Sequence, residues 1–138
     1  LGAQQIVPRE ELQEGSDKAM LKERWAGAVD TVGGEILFNV VKSLRYGASV
    51  ACCGLTAGMG FKGNVAPFIL RGVSLLGVDS GYMGEPTRSK VWARLASDLK
   101  PRHLAAMTRT VPFAELPGVF HDFIEGRVKG RTVIAVKD

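Results

Sequence analysis

The chain has 138 residues, which is the length of one domain or slightly more. Hydrophobic residues make up 46% of it and charged residues 23%, which allows a core and excludes wholesale disorder, a collagen and a disulfide scaffold. Lys and Arg number 18 against 14 Asp and Glu, a mildly basic balance that does not by itself indicate a nucleic-acid partner.

The first 33 residues predict two short strands separated by a charged surface segment. Residues 4–7 form a strand candidate that a proline closes, and residues 10–24 carry so much charge that they predict a loop with a turn or two of helix. Residues 25–33 are an apolar run ending in a polar residue and glycines, which is typical of a buried strand that meets a loop.

The next stretch predicts a regular amphipathic helix. Residues 35–46 place Ile36, Val40 and Leu44 on one helical face, and Gly47 stands where a helix C-cap is expected. Residues 48–54 then predict a strand, which a glycine-rich loop follows.

The glycine-rich loop contains the letters of a dinucleotide-binding fingerprint, GMGFKG at 58–63, and Asp79 ends the next predicted strand. Such a fingerprint needs a helix that begins within the loop and holds a pyrophosphate on its N-terminus, whereas Pro67 would break that helix in its second turn. The interval up to Gly72 leaves room for only about two turns. We therefore interpret the match as a mobile glycine loop, at an edge of the sheet where ligands tend to bind.

Three further elements complete an alternating pattern: a short helix at 67–71, a strand at 73–79 and a helix from Glu85 that Pro101 ends. Strands alternating with helices predict an α/β fold with a parallel sheet and covering helices, since parallel neighbours require crossover connections.

The pattern changes after residue 107. A strand is predicted at 108–111, a helix at 114–125 and a final strand at 131–136. The basic residues Arg127, Lys129 and Arg131 have no interleaved aromatic residues, so we interpret them as a solvated turn and expect no nucleic-acid partner.

Cys52 and Cys53 are adjacent in an apolar run without a CxxC pair or a histidine at ligand spacing, so we interpret them as small core residues and expect no metal site. Alternation along a strand disfavours a disulfide between them, and free thiols fit a reducing cytosol. No apolar stretch approaches the roughly 18 residues that cross a bilayer. We expect a soluble, cytoplasmic protein without a membrane partner, and we interpret His103 and His121 as structural.

Four segments carry a family resemblance in combination: WAGAVDTVGG at 25–34, ACCGL at 51–55, PFILRGVSLLGVDS at 67–80 and EGRVKGRTVIAV at 125–136. Together they resemble the zinc-independent medium-chain reductases, in particular the branch of acrylyl-CoA reductases and quinone oxidoreductases. The resemblance extends along the whole chain.

The resemblance implies part of a two-domain enzyme, in which a Rossmann domain that binds NADPH interrupts a GroES-like catalytic domain. Residues 1–107 would be the third to sixth strands of a partial Rossmann domain, and residues 108–138 a return segment of the catalytic domain. The chain begins at Leu1 without an initiator Met, so we expect a piece of a longer protein that is inactive alone. Because the third strand of this sheet pairs only with the second, we expect residues 1–24 to be displaced or to pair with another chain.

The resemblance also implies contacts with the cofactor. Arg9 would lie at the adenine end or the 2′-phosphate, since a guanidinium forks onto phosphate oxygens, although an ordinary surface arginine explains it equally well. Arg131 would contact a phosphate or another part of the cofactor, and the alternative is a basic strand end.

The remaining implied contacts follow the strands. Thr31, Gly54 and Leu55 would lie near the nicotinamide half, where glycine permits close backbone approach. Val78, Asp79 and Ser80 would lie against the carboxamide, although Asp79 is equally suited to cap a turn.

The implied reaction is hydride transfer from NADPH to the β-carbon of an α,β-unsaturated thioester or ketone, or to a quinone, with no zinc and with no proton donor evident in this chain. The alternative is a non-catalytic α/β module that assembles through sheet edges. In either case the apolar strand at 73–79 has no proline or lysine to protect its edge, which predicts a homodimer formed there.

Overall fold

A computed structural model describes residues 3–136, which form two compact units that divide between Met83 and Gly84. The domain boundary that the resemblance implies, between residues 107 and 108, remains a prediction. Among the described residues, no helix is both long and apolar enough to span a membrane.

The first unit is built on a three-stranded parallel sheet. Its strands are β1 (Ala28–Asp30), β2 (Ser49–Cys52) and β3 (Ser74–Gly77), adjacent in that order. Two helices make the crossovers, α1 (Gly34–Lys42) and α2 (Ala66–Arg71). This arrangement confirms the α/β class and the order of strands and helices predicted for residues 25–79.

The core lies between α1 and the sheet. The apolar face of α1 supplies its largest side chains, which pack on the central strand and on the start of β3, and burying each such side chain contributes roughly 1.5–3 kcal/mol. The buried members of this cluster are Leu37, Phe38, Val41, Leu44, Val50 and Val73.

The helix α1 is shorter than its sequence predicts, and Gly47 does not cap it. The helix ends at Lys42, and the C-cap residue Ser43 donates its hydroxyl to the main-chain oxygens of Asn39 and Val40. Leu44 then forms an isolated parallel bridge with Trp25, so the predicted last turn of the helix is not helical.

Residues 4–7 form no strand, contrary to the prediction, and Ile6 is 91% exposed. A strand needs a neighbouring strand to complete its hydrogen bonds, and the sheets of the described chain provide none for this segment.

Residues 1–24 are expected to be displaced or to pair with another chain, but part of this segment packs against the first unit. A 3₁₀ helix at Glu10–Gln13 packs on α1, and the guanidinium of Arg71 donates to the main-chain oxygen of Leu21 at 2.7 Å. Leu1 and Gly2 lie outside the described residues.

The second unit contains α3 (Glu85–Ala96), β4 (Thr108–Pro112), α4 (Leu116–Ile124) and β5 (Arg131–Ala135). The two strands pair in parallel, with Thr108 opposite Arg131. These elements confirm the predicted helices and strands after residue 84. Their apolar side chains are largely exposed, including Trp92, Phe120 and Phe123, so this unit buries little of its own apolar surface.

Candidate functional site

The carboxyl ends of the three strands in the first unit lie side by side. Asp30, Cys52 and Gly77, the last residues of β1, β2 and β3, are directly paired across the sheet. Hydrogen bonds continue past these ends, from the amide of Cys53 to the oxygen of Asp30 at 2.8 Å and from the amide of Val78 to the oxygen of Cys52 at 2.9 Å. The segments that follow the strands therefore begin along one edge.

Six of the eight predicted cofactor residues belong to these segments: Thr31, Gly54, Leu55, Val78, Asp79 and Ser80. The carboxyl edge of a parallel sheet is where ligands of open α/β folds bind. The structure thus brings the strand-end residues together, as expected from the parallel pairing, while their contact with a cofactor remains a prediction.

The turn after β1 and the loop after β2 pack backbone against backbone. The amide of Ala57 donates to the oxygen of Val32 at 2.7 Å. A Cβ placed on Gly54 would lie 2.2 Å from the oxygen of Thr31, and one placed on Gly33 would lie 2.7 Å from the oxygen of Gly58. Side chains cannot fit at either glycine, so this close approach depends on both.

A cavity of about 520 Å³ lies at the same edge. No charged side chain lines it, which suits an uncharged ring or an apolar group better than a phosphate. Two predicted residues, Gly54 and Leu55, line the cavity. Sequence reasoning missed most of the others, among them Gly34, Leu37 and Phe61, because the helix and loop that carry them fold over the strand ends only in three dimensions.

No helix begins within the glycine loop at 58–63, as expected from Pro67. The following helix α2 begins at Ala66 and has only six residues. The loop is instead attached to α1, because the ring of Phe61 stacks on Phe38 with centroids 5.0 Å apart and the amide of Lys62 donates to the carboxylate of Glu35.

Asp79 has a structural role in the turn after β3. Its carboxylate accepts hydrogen bonds from the amides of Gly81 and Tyr82 at 3.0 and 3.1 Å. This geometry supports the turn-capping interpretation. Val78 and Ser80 are exposed beside it.

The two predicted arginines belong to other elements of the chain. Arg9 directly precedes the 3₁₀ helix at Glu10–Gln13, and it is not among the residues that line the cavity. Arg131 is the exposed first residue of β5 in the second unit. Their predicted contacts with phosphates therefore remain predictions without support from the edge geometry.

The cysteines differ from each other in exposure. Cys52 is half-buried and its thiol lies 3.7 Å from a carboxylate oxygen of Asp30, whereas Cys53 is exposed, so the prediction of two core residues is wrong for Cys53. Both thiols are free. Within residues 3–136, no three His, Cys, Asp or Glu side chains are grouped closely enough to hold a metal ion.

Known proteins are similar in sequence to nearly the whole length of this chain. No family model matches it. It is 46% identical over 136 residues to the acrylyl-CoA reductase AcuI of Ruegeria pomeroyi, and 45% identical over 135 residues to YhfP of Bacillus subtilis, a protein named for a quinone oxidoreductase activity. The chain belongs to the medium-chain reductase family. The matches cover 97–99% of the chain and 41% of each relative.

Solved structures of medium-chain reductases agree with the fold. The crystal structure of B. subtilis YhfP with NAD bound matches with a TM-score of 0.90 at 44% identity, over 98% of the chain and 41% of that protein. The structure of Escherichia coli YhdH with bound NADPH matches with a TM-score of 0.86 at 37% identity, over 99% of the chain and 42% of that protein. The family resemblance stated from the four sequence segments is therefore confirmed.

Proposed function

We propose that this chain is the cofactor-side part of an NADPH-dependent reductase that acts on an activated C=C bond. The observation that carries the proposal is the alignment of three parallel strand ends beside an uncharged cavity, which gathers Thr31, Gly54, Leu55 and Val78 at one edge. The relatives named as acrylyl-CoA and quinone reductases, and those crystallised with NAD or NADPH, support it.

The edge is suited to the nicotinamide half of the cofactor. Gly54 and Leu55 both line the cavity, and Leu55 offers an apolar contact that is 60% exposed. Val78 and Ser80 supply main-chain and side-chain hydrogen-bonding groups for the carboxamide, which fixes the face of the ring. The phosphates require cations, and Arg9 and Arg131 are the proposed partners.

When bound, NADPH supplies the hydride for the β-carbon of an enoyl thioester such as acrylyl-CoA, or for a quinone. The residues at this edge orient the cofactor and exclude water from an apolar surface. We further propose that residues 1–107 are a partial Rossmann domain, that residues 108–138 are a return segment of the catalytic domain, and that the protein is cytoplasmic.

The proposal is tested by titrating NADPH into the chain and following backbone amide signals by NMR. Amides at 31, 54–55 and 78–80 should shift, and Leu55→Asp should weaken this response by about tenfold because a carboxylate repels the cofactor phosphates and disrupts the apolar contact. Leu104→Asp, at an exposed site of the second unit, is the matched control. A response confined to other residues, or none at millimolar NADPH, would contradict the proposal.

The alternative function is a non-catalytic module that assembles through sheet edges. One observation favours assembly: β3 has a neighbour on only one side within the described sheet, and Leu76 in it is 51% exposed. We propose a homodimer through residues 73–79, which is compatible with either function. NADPH binding at the strand ends would support the reductase function and contradict the non-catalytic module.

Light scattering at high protein concentration tests the dimer. The unchanged chain should have twice the monomer mass, and Leu76→Lys should give a monomer because a charge on an edge strand opposes pairing. Leu104→Lys should leave the dimer intact. A monomeric unchanged chain would contradict this assembly.

A further inference from the structure

A buried carboxylate stands at the end of β1. Asp30 is only 7% exposed, and no lysine or arginine forms an ion pair with it within residues 3–136. One carboxylate oxygen accepts a hydrogen bond from the amide of Gly33 at 2.9 Å and contacts the thiol of Cys52 at 3.7 Å. Burying a carboxylate without a cation is costly, so its hydrogen bonds must compensate for lost solvation.

Asp30 forms hydrogen bonds with both the turn after β1 and the loop after β2. Its carboxylate closes the turn that runs from Thr31 to Gly34, while its main-chain oxygen accepts a hydrogen bond from the amide of Cys53 at 2.8 Å in the loop after β2. Asp30 therefore fixes the beginning of both segments that carry the predicted nicotinamide contacts.

The turn after β1 requires backbone conformations that only glycine adopts readily. Gly33 has a φ of 70° and Gly34 a φ of 60°, which places two successive residues in the left-handed region. A hydrogen bond from the Gly33 amide to a fixed acceptor selects this conformation from the many open to a glycine pair. The acceptor is the carboxylate of Asp30.

A change in this turn would be transmitted to the neighbouring loop. The oxygen of Thr31 lies where a side chain on Gly54 would have to go, and the oxygen of Val32 accepts a hydrogen bond from the amide of Ala57. Because both contacts are between main-chain atoms, no side-chain rotation can absorb a displacement of the turn.

We propose that Asp30 is a positioning residue, whose carboxylate holds the turn at 31–34 against the loop at 53–57 and so sets the backbone that binds the nicotinamide half of the cofactor. The assignment rests on the proposed function. Asp30 itself does not touch the cofactor, and it acts through the positions of Thr31 and Gly54.

Hydrogen exchange measured by NMR tests the first half of this inference. In Asp30→Ala the amides of Gly33 and Ala57 should exchange at least roughly tenfold faster, whereas those of Leu21 and Arg24 in the same unit should be unchanged. Asp30→Asn keeps an acceptor oxygen and should restore slow exchange. Asp30→Leu lacks the acceptor but fills the buried space, and it replaces the Ala variant if that variant does not fold.

An exposed carboxylate provides the matched control, since Glu10→Ala removes a carboxylate from the surface of this unit. Equal acceleration at Gly33, Ala57, Leu21 and Arg24 would show a general loss of stability and overturn the inference. Unchanged exchange at Gly33 would also overturn it.

NADPH titration of the same variants tests the second half. Asp30→Ala or Asp30→Leu should weaken the NADPH response at residues 54–55 by about tenfold, with Asp30→Asn close to the unchanged chain. If the unchanged chain and the Asp30 variants bind NADPH equally, the positioning role fails while the proposed function stands. If the unchanged chain binds no NADPH, the proposed function fails and so does a positioning role toward this cofactor, even where the exchange pattern is as expected.

Discussion

The ammonium of Lys42 donates a hydrogen bond of 3.0 Å to the main-chain oxygen of Lys18. It also donates to the oxygens of Gly15 and Ser16, at 3.1 and 3.0 Å, so all three of its protons are used. Lys42 is only 1% exposed. A buried charge surrounded by neutral carbonyl groups thus fastens the N-terminal segment to the last turn of α1.

Replacing Lys42 with Met, which keeps most of the side-chain volume, should release this segment. The three carbonyl groups would lose their donors, and we expect the free energy of unfolding to fall by about 1–3 kcal/mol. Trypsin should cleave after Lys18 and Lys22 several times faster, which gel analysis of timed digests measures. Lys90→Met, on the exposed face of α3, is the control and should leave the free energy of unfolding and the rate of trypsin cleavage unchanged. If trypsin cleaves Lys42→Met as slowly as the unchanged chain, the anchoring role is contradicted.

The stability contributed by Lys42 should depend on pH. Burial lowers its pKa from the ordinary value of 10.5, against the opposing effect of the carboxylates of Glu35 and Asp17. Between the folded-state pKa and 10.5 the unfolded chain binds more protons than the folded chain, so the free energy of unfolding rises with pH across this window. Below the window this contribution is constant.

Urea denaturation of the unchanged chain and of Lys42→Met, from about pH 7 to about pH 11, measures this effect. The difference in free energy of unfolding should increase toward high pH, by no more than about 1.4 kcal/mol for each pH unit. A difference that decreases would show that the carbonyl groups stabilise the ammonium more than burial destabilises it.

Local patterns predicted most of the elements because those elements bury their own apolar residues. The face of α1 packs on β2 and β3 within the unit, and its spacing alone indicates a helix. The strand predicted at 4–7 fails for the same physical reason, since its hydrogen bonds would need a neighbour that the described chain does not provide.

The candidate site could be predicted in part. Parallel strands place their carboxyl ends together, so Thr31, Gly54 and Val78 follow from the order of elements and the family resemblance. The roles of Asp30 and Lys42 could not be predicted, because their partners are main-chain groups. Any sequence offers such groups, and only the fold decides which of them meet a buried side chain.

Gly54 should tolerate no side chain, because an added Cβ would lie 2.2 Å from a main-chain oxygen rather than from a flexible group. We expect Gly54→Ala to lower the free energy of unfolding by about 1–3 kcal/mol or more, as overpacking forces the turn and loop apart. Chemical denaturation measures the loss. Gly60→Ala, where an added Cβ meets no heavy atom within 4 Å, should be within about 0.5 kcal/mol of the unchanged chain.

The two cysteines should react with a thiol reagent at different rates. Cys53 is exposed, whereas Cys52 is half-buried with its thiol toward the carboxylate of Asp30, so access favours Cys53. A chromogenic disulfide reagent should show one fast equivalent of thiol and a second that reacts about tenfold more slowly. Cys53→Ser should remove the fast phase, and Cys52→Ser should retain it.

Denaturant supplies the control for this prediction. In the unfolded chain both thiols are accessible, so the two phases should merge in the unchanged protein, and each single variant should give one phase at a similar rate. Two fast equivalents in the folded chain would contradict the half-buried position of Cys52, and with it the contact between its thiol and Asp30. Since this contact lies beside the cavity at the strand ends, the slow phase also reports on the integrity of that edge.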